Sequence, residues 1–278
     1  MNLTQNDFLR RLLTNRLSGF GFVLLLVIIL AVTLGPLIWT VDPNAQNLAD
    51  RIAPPSGAHP LGTDNLGRDV LSRIFYGGRT TLLITFAAVA LAGIIGAAIG
   101  LIAGYFGGVI DAVLMRINDV LLALPFLLLA LMISVALGPG IINTAIALTI
   151  PAIPRDARLV RAAVLSVKQG DYVFAARASG VRSRRIITHH VLRNISSGVL
   201  MVMSVGVAYS LLAVAGLGFL GLGVQPPTAE WGAMLTDGRM YIISAPLVVI
   251  VPGLAIMLTA LAANLVGDAF RDAFDVSV

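Results

Sequence analysis

The side chains best suited to acid–base chemistry lie outside the long apolar runs of this chain. The three histidines, His59, His189 and His190, fall in predicted loops, which argues against an intramembrane hydrolase built on a serine–histidine pair. No Asp, Glu, Lys, Arg or His interrupts the apolar runs, so a carrier driven by an intramembrane carboxylate relay is disfavoured. Cysteine is absent, which excludes disulfides and thiolate metal sites. We therefore predict no catalytic residue and no metal site.

Nucleotide binding through a phosphate loop is excluded as well. That loop requires Gly-Lys-Ser/Thr after a glycine-rich turn, and the single lysine, Lys168, lies between Val167 and Gln169. We expect no cofactor on this chain, and any energy source must reside on a partner.

The composition places the chain in a membrane. Of its residues, 58% are hydrophobic and only 12% are charged, whereas a soluble domain has about 25% charged residues. A basic pI of about 10.2 would suggest nucleic acid for a soluble protein. Here the cations have a simpler role in orienting membrane spans, so we expect no nucleic-acid partner.

The uncharged runs predict six membrane spans, because each run holds about 20 apolar residues. Gly138-Pro139-Gly140 divides the longest run, Val120–Pro154, into two spans joined by a tight turn. The first apolar stretch, Phe20–Ile38, is too long for a signal-peptide core, so we expect it to remain as an anchor. That stretch belongs to the first of the four single-span runs, which lie between the charged pairs Arg16 and Asp42, Arg79 and Asp111, Arg193 and Glu230, and Arg239 and Asp268.

The distribution of cations predicts the orientation. Placing both termini in the cytoplasm puts 14 of the 19 Lys and Arg residues inside and 5 outside. Nine of the 14 form an island: Arg155, Arg158, Arg161, Lys168, Arg177, Arg182, Arg184, Arg185 and Arg193. The predicted units are a cytoplasmic segment 1–18, a first transmembrane helix 19–40, an extracytoplasmic loop 41–79, a five-helix core 80–267 containing the cytoplasmic loop 155–193, and a cytoplasmic tail 268–278.

The middle of the island has the pattern of a short helix ending at a glycine elbow. Gly170 breaks the preceding helix, Asp171 is a good N-cap, and Gly180 suits the left-handed position after a helix end. Ser183 can cap a second short helix. The side chains of Tyr172, Ala175, Ala176 and Ser179 share one face and form a ridge that fits a groove on another protein. The alternative is that this segment lies at the headgroup surface, with its arginines held by anionic lipid.

Two spans carry packing or polar patterns. Gly93, Gly96, Gly100 and Gly104 leave one face of the second span smooth for a neighbouring helix, either within the chain or in another subunit. In the fifth span, uncharged polar residues could line a water-filled path or bond their own backbone. They are Ser196, Ser197, Ser204, Tyr209 and Ser210.

The sequence Asp171–Gly180, followed by His190-Val191-Leu192-Arg193-Asn194, resembles the cytoplasmic "EAA" loop of permease subunits of ATP-binding-cassette (ABC) importers. Two alanines and a later glycine carry the likeness. Phe174 stands where the family often has Glu, and Arg193 where it often has Pro. The first departure removes a polar contact with the ATPase, and the second leaves the helix free to continue into the fifth span.

The resemblance extends over almost the whole chain. The segment His59–Arg73, the segment Phe219–Leu235 and the segment Asn264–Asp272 look like the signatures of the dipeptide, oligopeptide and nickel permease branch. The short N-terminus and the long loop after the first span resemble the second of the two permease subunits in such systems.

This resemblance implies an all-α polytopic membrane protein with the type I ABC importer permease fold, six transmembrane helices and a cytoplasmic coupling-helix loop. It implies a bacterial inner membrane location and partners for the chain: a second homologous permease subunit, two ATPase subunits that bind ATP and Mg²⁺, an extracytoplasmic substrate-binding protein and membrane lipid. The expected substrates are di- or oligopeptides, with nickel or another small solute as alternatives, and a passive channel is the competing function. The residues expected to couple to the ATPase are Asp171, Tyr172, Phe174, Ala175, Ala176, Ser179 and Gly180.

The outer loop and the fifth span complete the expected sites. Arg68, Asp69 and Arg73 are placed on a short helix starting near Asp64-Asn65, either in contact with the binding protein or as a plain interfacial helix. Gly216–Gly223 is either a re-entrant turn or a flexible exit from the fifth span. The expected translocation-path residues are Ser197, Ser204, Tyr209 and Ser210.

Overall fold

The computed structural model describes residues 16–274, so most of the predicted segment 1–18 and the last four residues of the predicted tail 268–278 lie outside the described residues. This range is mostly helical and contains no β-strand. The principal helices are α1 (Arg16–Ile38), α2 (Val70–Phe106), α3 (Gly108–Leu122), α4 (Phe126–Leu137), α5 (Ile141–Val167), α6 (Asp171–Ala178), α7 (Ser183–Arg185), α8 (Leu192–Phe219), α9 (Trp231–Gly238) and α10 (Leu247–Phe274). A π-helical turn, Ile186–Val191, joins α7 to α8.

Helices α2 and α5 form the central pair of the bundle and pack closely along a glycine seam. A Cβ atom at Gly96 would lie 2.8 Å from the Asp156 Cβ, and one at Gly100 would lie 2.6 Å from the Ala157 carbonyl oxygen. At Gly104 it would lie 2.8 Å from Val164. These three glycines therefore serve packing within the chain, as the first of the two alternatives predicted.

The remaining long helices surround this pair. Helix α8 contacts α2, α5 and α10, and α1 packs against α10 and α2. Most α1 side chains face outward, as expected for a peripheral helix in lipid. At one end of the bundle, Trp231 of α9 is buried beside Val70 and Leu211. At the other end, Val173 of α6 is buried beside Tyr105 and Val164.

The predicted turn at Gly138–Gly140 is confirmed, because α4 ends at Leu137 and α5 begins at Ile141. The run before it is not one straight helix, since α3 and α4 meet at an angle of 86° around Pro125. Within residues 16–274, four helices are long and apolar enough to cross a membrane: α1, α2, the α8 segment from Gly198, and α10 to Phe270. The bent α3–α4 pair could provide a fifth span, and the count of six stays a prediction.

Two predicted boundaries are wrong. No helix starts at Asp64, because residues 64–69 form a loop and α2 begins at Val70, where the Asp69 carboxylate accepts a hydrogen bond of 2.7 Å from Ser72 N. The chain from Arg155 to Val167 is not a loop, because α5 continues through Pro151 and Pro154. Neighbouring helices can satisfy the carbonyl groups that a proline frees, so these prolines do not end the helix.

The short helices of the island follow the prediction except at their cap residues, because Asp171, predicted as an N-cap, is already the first residue of α6. Helix α6 spans Asp171–Ala178, and Gly180 has a φ of +73°, as expected for the residue after a helix end. Ser183 is the first residue of α7, and Arg182 occupies the cap position without a side-chain cap bond.

Candidate functional site

Helix α6 is attached to the bundle by one buried side chain and by its two ends. Val173 is fully buried among residues of α2, α5 and α8. The Gly170 carbonyl accepts a hydrogen bond of 2.9 Å from Val173 N at the start of the helix. At its end, Val181 N donates to the Ala176 carbonyl across Gly180 at 3.1 Å, which is the arrangement of a Schellman turn. This fixes the direction of a helix only two turns long.

The rest of α6 is presented outward. Tyr172 and Phe174 are 44% and 57% exposed, although both are large and apolar. Asp171, Ala175 and Ser179 are also exposed, whereas Ala176 is half-buried. The exposed apolar side chains form a surface that suits a groove in a partner rather than water.

A second candidate site lies inside the bundle, in a cavity of about 590 Å³ between α2, the α3–α4 bend, α5 and α8. This volume falls in the usual range for small-molecule sites. Most of the wall is apolar, from Ala, Val, Leu, Pro and Phe side chains. Its polar side chains are Arg155, Asp156, Tyr209 and Ser210.

Only some of the predicted path residues line this cavity. Tyr209 and Ser210 line it. Ser204 does not line it. The Ser204 hydroxyl donates to the Leu200 carbonyl at 2.9 Å, so this residue follows the second predicted alternative, a hydrogen bond to its own helix backbone. The Ser197 side chain lies outside the described residues.

Sequence reasoning missed Arg155 and Asp156, because both were assigned to a cytoplasmic loop. The structure places them on α5, about 21 Å along the helix axis from its first residue. The Arg155 Nε atom lies 3.3 Å from Asp156 Oδ1, and its guanidinium carbon lies 5.7 Å from the centre of the Tyr209 ring. Helical spacing offers a signal for this, since Arg155, Arg158 and Arg161 continue one helical stripe into α5.

The outer-loop residues expected to contact a binding protein are buried. Arg68 is 1% exposed and pairs with Asp64 at 2.6 Å and with Asp237 of α9 at 3.1 Å. Arg73 lies 3.4 Å from Asp64 and also donates to the Pro43 carbonyl at 3.2 Å. The Asp69 carboxylate accepts from Trp39 Nε1 at 2.9 Å. These charges hold the loop to α9 and α2, so their side chains are not available on the surface.

Glu230 adds another buried charge at the same end of the molecule. Its carboxylate caps α9 by accepting 2.8 Å hydrogen bonds from Gly232 N and Ala233 N, and it accepts from the Thr81 hydroxyl at 3.0 Å. Burial raises the pKa of Glu230 above its usual 4.5, against the lowering effect of these three donors. Glu230 thereby joins α9 to α2.

The apolar spans agree with a family comparison. Residues 96–278 match the model of the inner membrane component of binding-protein-dependent transport systems. The chain belongs to this family of transport permeases. Residues 5–55 of the permease also match the N-terminal transmembrane domain of oligopeptide transport permease C.

Named relatives cover nearly the full length of the permease. A putative peptide transport system permease protein of Brucella abortus is 44% identical over 96% of this chain and 90% of the relative. A dipeptide transport system permease protein of Alkalihalophilus pseudofirmus is 42% identical over 96% of this chain and 88% of the relative. A glutathione transport system permease protein of Pectobacterium atrosepticum is 40% identical over 97% of this chain and 90% of the relative.

These matches confirm the predicted family. The permease is a multi-pass membrane component of an ABC transport system, and its family acts in transport rather than in catalysis.

Proposed function

We propose that this permease forms half of the translocation path for di- or oligopeptides in an ABC importer. The other half comes from a second homologous permease subunit. Two ATPase subunits bind ATP and Mg²⁺, and an extracytoplasmic binding protein delivers the substrate. The names of the relatives support the peptide substrate, and the exposed surface of α6 is the observation that carries the coupling role.

The ATPase subunit contacts α6 through the exposed residues. Phe174 and Tyr172 enter an apolar groove, while Asp171, Ala175 and Ser179 lie beside them. Ala176 lies on the half-buried side of the helix, and Gly180 forms the turn that ends it. The neighbouring exposed cations favour an acidic rim on the ATPase and anionic lipid nearby. They are Arg182, Arg184, Arg185 and Arg193.

The proposed topology has six spans, with both termini and α6 in the cytoplasm. Helix α5 is the span that composition alone obscures, because its second half carries four charged side chains. Two of them are paired with α3: Arg161 donates to both oxygens of Asp111 at 2.6 Å, and Arg158 contacts Asp119. Paired charges of this kind are tolerated near the end of a membrane helix.

Movement at α6 reaches the cavity through packed elements. Val173 contacts the cluster that includes Val164 of α5 and Leu101 of α2, and the π-helical turn leads directly into α8. ATP binding closes the ATPase pair, displaces α6 and rocks these three helices, so that access alternates between the two sides of the membrane. We propose that Tyr209 and Ser210 then line the path together with Ser197.

The binding protein contacts the opposite end of the bundle. Arg68, Asp69 and Arg73 shape this surface from beneath rather than touch the partner. A rigid loop lowers the entropy lost on docking, which is the reason for holding it with buried charges.

The assembled transporter in proteoliposomes tests the proposal. We expect concentrative uptake of a labelled dipeptide that requires ATP, the binding protein and this chain. Equilibration of the dipeptide without ATP would instead indicate a passive channel. Uptake of nickel ions but of no di- or tripeptide would assign the machinery to another solute.

A further inference from the structure

We propose that Arg155 binds the terminal carboxylate of the transported peptide within the cavity, an inference that rests on the proposed function. Arg155 is the one cation lining the cavity among residues 16–274. A charged side chain within a membrane-spanning helix, as we propose α5 to be, is costly, and such residues usually mark a substrate or ion pathway.

The neighbours of Arg155 hold its guanidinium without saturating it. Asp156 is buried and accepts only from Nε. Among the described residues, no hydrogen-bond acceptor engages the two terminal nitrogens of Arg155. Those two nitrogens form the fork that binds a carboxylate with two parallel hydrogen bonds. Asp156 is therefore a positioning residue, and the open side of the guanidinium is the binding group.

Helix α8 leaves room for this arrangement. A Cβ atom at Gly206 would lie 3.3 Å from Arg155 Nη2, so the glycine allows the guanidinium to approach α8. The Tyr209 ring, one turn further along, covers one side of it. Both residues line the same cavity.

Ser210 supplies an independent indication of a ligand. Its side chain is 6% exposed and lines the cavity, yet its hydroxyl has no hydrogen-bond partner among residues 16–274. Ser204 on the same helix satisfies its hydroxyl on a backbone carbonyl. A buried hydroxyl left unpaired costs about 1–3 kcal/mol, so a polar ligand group at this position would stabilise the site. The carboxylate or the adjacent peptide group of the substrate provides such a partner.

The remaining lining selects against highly polar solutes and tolerates varied side chains. Val89, Leu127 and Leu148 face the cavity with other apolar residues. Contact with a chemical group common to all peptides, next to an apolar wall, allows one site to accept many sequences. Arg155 would therefore bind the C-terminal carboxylate, which all peptide substrates share.

Two measurements on the assembled transporter test this assignment, with Arg155→Gln as the variant and Arg158→Gln as the matched control. Arg158 is on the same helix but pairs with Asp119 and does not line the cavity. In the first, Ala152→Cys places a single thiol in the cavity of a chain without cysteine. This thiol is labelled with an anionic and with a cationic methanethiosulfonate reagent, and the ratio of the two rates is measured. We expect Arg155→Gln to lower the anionic-to-cationic ratio about fivefold, because it removes the nearby positive charge, and Arg158→Gln to leave the ratio unchanged.

The second measurement compares uptake of trialanine and of its C-terminal amide, each at a saturating concentration of binding protein. Because the binding protein is identical in every arm, the change in the acid-to-amide ratio isolates the permease. We expect Arg155→Gln to lower that ratio at least tenfold, Arg155→Lys to lower it less, and Arg158→Gln to leave it unchanged.

The results that would contradict these expectations separate the role of Arg155 from the proposed function. An unchanged reagent ratio, or an equal loss of acid and amide uptake, would overturn the role of Arg155 while leaving peptide import intact. Failure of the unsubstituted transporter to take up either peptide would overturn the proposed function and, with it, the peptide carboxylate as the ligand, even if the thiol measurement showed an anion site.

Discussion

At the α9 end of the bundle, the charged side chains Arg68 and Arg73 are buried, whereas at the α6 end the apolar side chains Tyr172 and Phe174 are exposed. The first arrangement costs desolvation energy and is stabilised by close ion pairs with Asp64 and Asp237. The second leaves apolar surface in water that only a partner would cover. The difference separates a surface held rigid by buried charges from the surface that we propose docks on the ATPase.

Removal of Arg68 is the change with the largest expected effect on this contrast. Arg68→Ala leaves Asp64 buried without its 2.6 Å partner, so we expect the free energy of unfolding to fall by about 3–5 kcal/mol. Denaturant titration of the purified chain in detergent measures it. Arg51→Ala is the control, because exposed Arg51 contacts only the Tyr241 hydroxyl and ring, and about 1 kcal/mol or less is expected. Equal losses for the two variants would mean that the buried network has no special role.

Substitution of Phe174 tests the other half of the contrast. Phe174→Asp should change the free energy of unfolding by less than about 0.5 kcal/mol, because the side chain is exposed. Peptide-stimulated ATP hydrolysis by the complex should fall at least tenfold, since a carboxylate would enter the apolar groove of the ATPase. The neighbouring Val173→Ala gives the opposite expectation, a clear loss of stability from a fully buried position. Unaltered ATP hydrolysis with Phe174→Asp would remove the docking surface from α6.

These two regions show what the sequence can and cannot predict. Helix α6 and its elbow follow from local rules, because Gly180 has a positive φ that only a few residue types favour. The spacing of the glycines in α2 likewise predicts its close packing, and the glycines and proline at 138–140 predict the turn. Burial of Arg68 depends on Asp237, 169 residues further along the chain. No local pattern reports such a contact.

The same distinction explains the error on α5. Charges and two prolines after Ile150 predict the end of a helix when read locally. In the bundle, α2 packs along the whole of α5, and Asp111 and Asp119 of α3 pair with its arginines, so the helix continues. The cavity site at Arg155 was missed for this reason alone.

The smallest effect concerns Glu230 and pH. Burial raises its folded-state pKa above 4.5, so the folded chain binds more protons than the unfolded chain between these two values. The contribution of Glu230 is then fully present below about pH 4.5 and is lost as the pH rises through the folded pKa. We expect the melting temperature of the unsubstituted chain, relative to Glu230→Gln, to decrease with rising pH across this interval. A difference that stays constant or increases with pH would contradict the desolvated environment.

Cross-linking of α6 to the ATPase tests the central claim most directly. The chain has no cysteine, so Phe174→Cys introduces one thiol on the exposed face of α6 and Ser179→Cys introduces one directly after its last residue. Met240→Cys introduces one that is 83% exposed at the opposite end. In a complex that hydrolyses ATP, with a thiol-reactive cross-linker on the ATPase, we predict adducts from positions 174 and 179 and none from position 240. The absence of adducts at both α6 positions, or equal yields at position 240, would contradict coupling through α6.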